Sequence, residues 1–129
     1  MKFTLGKDKK LKSKKAIEQL FVSGLSIRKG ALRLKYLSVP GGEDHKVAFS
    51  VPKRFFKLAV DRNRVKRLMR EVYRLHQHEI KTPENQFYNF MWIYQSNKLP
   101  DYEHLERLMK PVLHQLAKST IPEEVNKSS

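Results

Sequence analysis

The chain has 129 residues, a length that suits a single folded domain. Lys and Arg outnumber Asp and Glu by 27 to 13, and the formal net charge of +14 points to a polyanionic partner: RNA, DNA or an anionic membrane. Cysteine is absent, which excludes disulfides, thiol catalysis and cysteine-based metal sites, and no apolar run approaches the length of a membrane span.

Residues 1–15 carry seven Lys and one Asp. They form a basic arm without the apolar run of a signal peptide, so a cytoplasmic protein is expected. The arm (residues 1–12) reads either as a solvated segment or as one that touches nucleic acid. "SKKAIEQLFVSG" reads as a short helix. Ser13 is placed to cap it, Ala16, Ile17, Leu20 and Phe21 recur at helical spacing, and Gly24 is a stop. "SIRKG" suits a short edge strand. "ALRLKYLSV" alternates, with Leu32, Leu34 and Tyr36 on one face and Arg33 and Lys35 on the other. "PGGED" is a turn signal, and "KVAFSVP" is a β-type run ended by Pro52. The alternation and the turn predict that these two strands pair antiparallel. Glu43, Asp44 and His45 are expected to face solvent in the turn.

A long helix is predicted from about Ala59 to Glu79, and "KTPEN" after it is a loop. "QFYNFMWIYQS" is aromatic and β-type, and reads as a buried strand. Asp101 is a helix N-cap candidate. The helix after it carries Leu105, Leu108, Met109, Val112, Leu113 and Leu116 at helical spacing, with Pro111 expected to kink or split it. Residues 119–129 read as a disordered tail, and the single domain spans 1–118. The order is α-β-β-β-α-β-α, an α+β fold with a small, mostly antiparallel sheet.

The stretch "AVDRNRVKRLMREVYR" holds six cations and two acids in sixteen residues. On a wheel of about 100° per residue with Val65 at zero, Leu68, Met69, Val72 and Leu75 form one apolar stripe centred near about 330°. Lys66, Arg70, Asn63, Arg74 and Arg67 fall between about 100° and about 200°, with Arg62 and Arg64 on the flanks. A plain solvated helix places opposite charges four residues apart; here Lys66 and Arg70 are like charges at that spacing. Arginine also clamps phosphate with two bonds. The pattern favours a polyanion but leaves RNA and DNA open. The apolar stripe is needed for the core, which argues against a membrane. No helix-turn-helix or zinc-finger spacing is present. No compact Asp/Glu cluster marks a two-metal nuclease site, and His76 and His78, two apart, are not expected to share a helix face.

The run "FSVPKRFFKLAVDRNRVKRLMREVYR", with Arg62-Asn63-Arg64, Lys66-Arg67 and Arg70 on a helix after the basic pair Lys53-Arg54, resembles the protein subunit of bacterial ribonuclease P. "LKSKKAIEQLFVSG" resembles that family's first helix, and the likeness covers about residues 5–118. The resemblance implies a fold like ribosomal protein S5 domain 2, with a left-handed βαβ crossover, against the usual right-handed rule. It also implies a large catalytic RNA subunit that holds the active site and Mg²⁺. The small protein would bind that RNA through Lys53, Arg54, Arg62, Asn63, Arg64, Lys66, Arg67, Arg70 and Arg74. It would hold the 5′ leader of precursor tRNA in a cleft between the first helix and the sheet, lined by Ile17, Phe21, Arg33 and Lys35. Neither a membrane nor an obligate protein partner is implied. Relatives often carry two aromatics one turn apart on the first helix. Ile17 departs from that pattern, so phosphate contacts are expected to weigh more than stacking. From the residues alone, a ribosomal-type RNA-binding module and a DNA-binding helix protein stay open.

Overall fold

A computed structural model describes residues 10–40, 44–80 and 86–119. Helix α1 (Lys14–Ser23) is followed by strands β1 (Leu25–Lys29), β2 (Leu32–Val39) and β3 (Lys46–Ser50). Helix α2 (Ala59–His76) continues into a 3₁₀ turn (Gln77–Glu79), and strand β4 (Phe87–Tyr94) and helix α3 (Tyr102–Ser119) complete the chain. The sheet order is β1-β2-β4-β3. β1–β2 and β2–β4 are antiparallel, whereas β3–β4 is parallel.

The expected β2–β3 hairpin does not form, because β4 lies between the two strands. β4 buries Tyr88, Phe90, Trp92 and Tyr94 on one face and Met91 and Ile93 on the other. A strand apolar on both faces belongs in the centre of a sheet, where both of its edges are also hydrogen-bonded. β2 then takes one side of β4. β3 takes the other and runs parallel to it, joined through α2, as a parallel pair requires. The edge strand suggested by "SIRKG" is β1. It turns into β2 through Gly30 and Ala31, with Gly30 at φ 59, a conformation glycine adopts without a Cβ penalty.

Two cores flank the sheet. Leu32, Leu34 and Tyr36 of β2 join Phe90, Trp92 and Tyr94 under α2 and α3. Leu11, Leu20, Met91 and Ile93 form a smaller core under α1, with Ile17, Leu37 and Ala48 packed against it. α1 therefore crosses one face of the sheet, and α2 and α3 cover the other.

The caps follow local chemistry. Ser13 Oγ accepts from the Ala16 N–H at 3.2 Å, and Asp101 Oδ1 accepts from the His104 N–H at 2.8 Å. Gly24 ends α1 at φ −73, so the left-handed conformation is not the reason for glycine there. A Cβ at Gly24 would lie 2.3 Å from the Leu20 carbonyl oxygen, a close approach that only glycine permits.

Four further expectations change. α3 is continuous through Pro111, which sits exposed on its outer side while Met109, Val112 and Leu113 pack beneath. Those buried contacts on both sides of Pro111 hold the helix together across the missing hydrogen bond. His45 does not face solvent. Its Nδ1 accepts from the Tyr88 N–H at 3.1 Å, and its ring meets Phe87 and Phe90. His76 and His78 do share a face, stacking with ring centroids 6.5 Å apart. The backbone leaves the α-helical conformation at His76, at φ −114 and ψ 5, so the α-helical spacing that would separate them does not apply. α3 ends at Ser119, one residue into the expected tail. Glu43, the "KTPEN" loop, residues 1–9 of the arm and the tail beyond Ser119 lie outside the described residues.

Candidate nucleic-acid interface

α2 divides as its periodicity demands. Val65, Met69 and Val72 are buried against the sheet and α3, and Tyr73 joins them. Asn63, Arg64, Arg67 and Arg70 are exposed and Lys66 is half-buried. Among the described residues, none of these cations is ion-paired with an acid. Arg70 lies over the Phe49 ring, 5.5 Å from its centroid, which props the guanidinium outward from the sheet edge.

The two ends of the arc differ. Arg62 Nη1 donates to the carbonyls of Phe56 at 2.7 Å and Lys57 at 3.0 Å. It clasps the β3–α2 connection onto the helix, whose first turn has no capping side chain at Leu58. Arg74 Nε donates to Glu71 Oε1 at 3.2 Å, and that bond holds the Glu71 carboxyl below its ordinary value. So Arg62 and Arg74 have protein partners, while Lys66, Arg67 and Arg70 lie between them without acids. Lys53 and Arg54 occupy the exposed turn before α2, and Arg54 rests 4.9 Å from the centroid of the Phe55 ring.

A second cationic surface lies on the α1 side of the sheet. Arg33 and Lys35 project there from β2, opposite the Leu32, Leu34 and Tyr36 face. Lys35 Nζ stands 5.6 Å from the centroid of the Phe21 ring, and Phe21 is 50% exposed. Phe21 is therefore not a core residue. Ile17 packs against the small core instead. Arg28, which sequence reasoning passed over, stands directly opposite Arg33 across the β1–β2 pair. Like charges facing each other across strands destabilise a sheet unless an anion lies between or over them. Its signal was the alternation in "LSIRK", legible only once β1 is known to pair with β2.

Neither surface supplies a metal cage: among the described residues, no group of three His, Asp or Glu side chains could hold an ion. The carboxylates cluster elsewhere, where His76 bridges Glu79 and Glu106 and ties α2 to α3. Among the described residues, no helix is long and apolar enough to cross a membrane.

Comparison with known proteins agrees with this geometry. The family profile described as Ribonuclease P matches residues 5–117. The ribonuclease P protein component of Porphyromonas gingivalis is 37% identical over 123 residues, covering 89% of this chain and 88% of its own. That of Chlorobaculum tepidum is 29% identical over 126 residues, covering 87% and 82%. The fold resembles the crystallised Staphylococcus aureus RNase P protein, with TM-score 0.71 at 18% identity over 88% of this chain and 98% of that one. It also resembles the Thermotoga maritima RNase P protein, with TM-score 0.68 at 17% identity over 82% and 96%. With a cationic helix on a mixed four-stranded sheet and a family match across almost all of its length, the chain belongs to the ribonuclease P protein family.

Proposed function

We propose that this chain is the RNA-binding subunit of ribonuclease P, acting in the cytoplasm with a catalytic RNA and without an obligate protein partner or a membrane. It helps that RNA remove the 5′ leader from precursor tRNA. The observation that carries the reading is the arc of Lys66, Arg67 and Arg70, presented opposite the buried stripe and free of acidic partners among the described residues. Such an arc neutralises phosphates and releases counterions. It docks the catalytic RNA, with Asn63, Arg64, Lys53 and Arg54 extending the surface. Arg62 and Arg74 act there as positioning residues, since each is already engaged with protein groups.

The leader lies on the α1 face, with its phosphates on Arg28, Arg33 and Lys35 and one base against Phe21. Base stacking on an aromatic contributes about 1–3 kcal/mol. With Ile17 turned into the core, this chain offers one such ring on α1 and relies more on phosphate contacts. Mg²⁺ is held by RNA phosphates, and the bond cleavage belongs to the RNA. The protein's part is electrostatic: it holds two polyanions together and lowers the Mg²⁺ their approach requires.

Reconstitution with a bacterial ribonuclease P RNA at low Mg²⁺ tests the reading. Addition of the protein should accelerate cleavage of precursor tRNA at the mature 5′ end. The absence of any gain would exclude this role and leave an RNA-binding module of another kind.

A further inference from the structure

The α2 arc and the α1 face lie on opposite sides of the sheet, and a groove lies at its β3 edge, beside the α2 arc. The groove has a volume of about 250 Å³. Among the described residues, four cations line it, Lys10 and Lys12 from the N-terminal arm and Lys66 and Arg70 from α2, and no acidic side chain does. Its floor passes from Ala48, which faces the small core under α1, to Phe49, which faces the main core under α2.

Residues 10–12 of the arm are seated there by the fold. Leu11 is 6% exposed and plugs the small core, and its N–H donates to the Val47 carbonyl at 2.9 Å. Lys10 forms a parallel bridge with Val47 on the free edge of β3. With Leu11 held inward, Lys10 and Lys12 stand exposed on either side of it and face Lys66 and Arg70 across the groove. Four like charges around one space repel one another, and an anion between them reverses that cost. The volume lies below the usual range of about 300–1,000 Å³ for small-molecule pockets. It admits one phosphate and its sugar but not a base-paired segment.

We infer that this β3-edge groove is a phosphate seat for single-stranded RNA, closed on one side by Lys10 and Lys12, and that the leader passes through it from the α1 face to the margin of the α2 arc, where Lys66 and Arg70 are shared between the leader and the catalytic RNA. The inference rests on the functional reading above. It adds a path around the sheet edge and gives the arm a defined task.

The test uses the full chain reconstituted with the catalytic RNA. Precursor tRNAs carry either a long leader or a short one that ends on the α1 face. With a salt slope of about −0.7 per phosphate contact on single strands, one contact at about 0.15 M salt contributes about four-fold in affinity and two about fifteen-fold. Lys10→Ala/Lys12→Ala should weaken long-leader binding by about four-fold and flatten its salt slope by about 0.7, with short-leader binding unchanged. Lys10→Arg/Lys12→Arg should retain both affinities. A melting temperature equal to that of the wild type establishes that Leu11 still anchors the arm. Equal losses on long and short leaders, or weakened binding of the catalytic RNA alone, overturn the leader path by showing that the seat faces the catalytic RNA. No loss on either leader overturns the seat itself. If the wild-type chain fails to stimulate cleavage at all, the functional reading fails first and the leader path falls with it.

Discussion

His76 offers the most direct test of how the helical layer is held. Its Nδ1 lies 2.6 Å from Glu79 Oε2 and its Nε2 lies 2.7 Å from Glu106 Oε2. Only the imidazolium can donate from both nitrogens; a neutral ring turns one lone pair toward a carboxylate. Desolvation pushes the His76 pKa down, but hydrogen bonds to Glu79 and Glu106 outweigh it and leave the value above the ordinary 6.5. Desolvation likewise raises Glu79, and its bonds to His76 outweigh that and leave it below 4.5. A raised histidine stabilises fully below its unfolded value and loses that contribution as pH rises through its folded value. A lowered glutamate stabilises above its unfolded value and loses that contribution as pH falls through its folded value. Stability should therefore be greatest between the ordinary values of 4.5 and 6.5 and should decline on either side.

The side chains of His76, Glu79 and Glu106 are 14%, 22% and 33% exposed, so each charge-assisted bond contributes about 1 kcal/mol, less than the full value of a buried one. His76→Ala removes both bonds and should cost about 2 kcal/mol at mildly acidic pH, lowering the melting temperature by roughly 6–10 °C for a chain of this length. Circular dichroism melts from acidic to mildly alkaline pH would measure it, with His76→Gln as the isosteric neutral comparison. The gap between wild type and His76→Gln should narrow as pH rises, which separates His76 from the other histidines. A gap independent of pH would refute the argument. So would an alkaline decline equally steep in both proteins.

Arg67→Ala/Arg70→Ala should weaken binding of the catalytic RNA and flatten its salt slope by about 1–2, read from filter binding across a salt series; an unchanged slope means these side chains touch no phosphate. Phe21→Ala should reduce affinity for long-leader precursors by the stacking energy of one base, about 1–3 kcal/mol, and spare mature tRNA. Equal effects on both RNAs would assign Phe21 a purely structural role. Gly24→Ala should destabilise the chain by roughly 1–3 kcal/mol in urea unfolding, because a Cβ placed 2.3 Å from the Leu20 carbonyl oxygen forces α1 and β1 apart. A neutral result would mean the α1 terminus shifts freely.

Much of this protein is legible along the chain because its signals are local. The 3.6-residue period of α2 separates Val65, Met69 and Val72 from Lys66, Arg67 and Arg70 without reference to any other element. Ser13 and Asp101 cap the helices that follow them through bonds spanning three residues. The alternation of β2 places Arg33 and Lys35 opposite its core face. The continuity of α3 through Pro111 was not legible, because packing on both sides of the proline outweighs its local preference.

The sheet order belongs to the tertiary structure. The turn after β2 favoured its nearest neighbour in sequence, but β4, apolar on both faces, gains more by taking the centre and displaces β3 to the far edge. That displacement gives β3 a free side on which Leu11 seats Lys10 and Lys12 beside Lys66 and Arg70. The same holds for Arg28 against Arg33, for the Arg62 clasp on Phe56 and Lys57, and for His76 between two carboxylates. Charge and periodicity in the sequence determined that α2 carries a cationic face opposite its buried stripe. Only the burial of β4 decided where the cations from separate elements converge, because burial is settled by the whole core and not by neighbours along the chain.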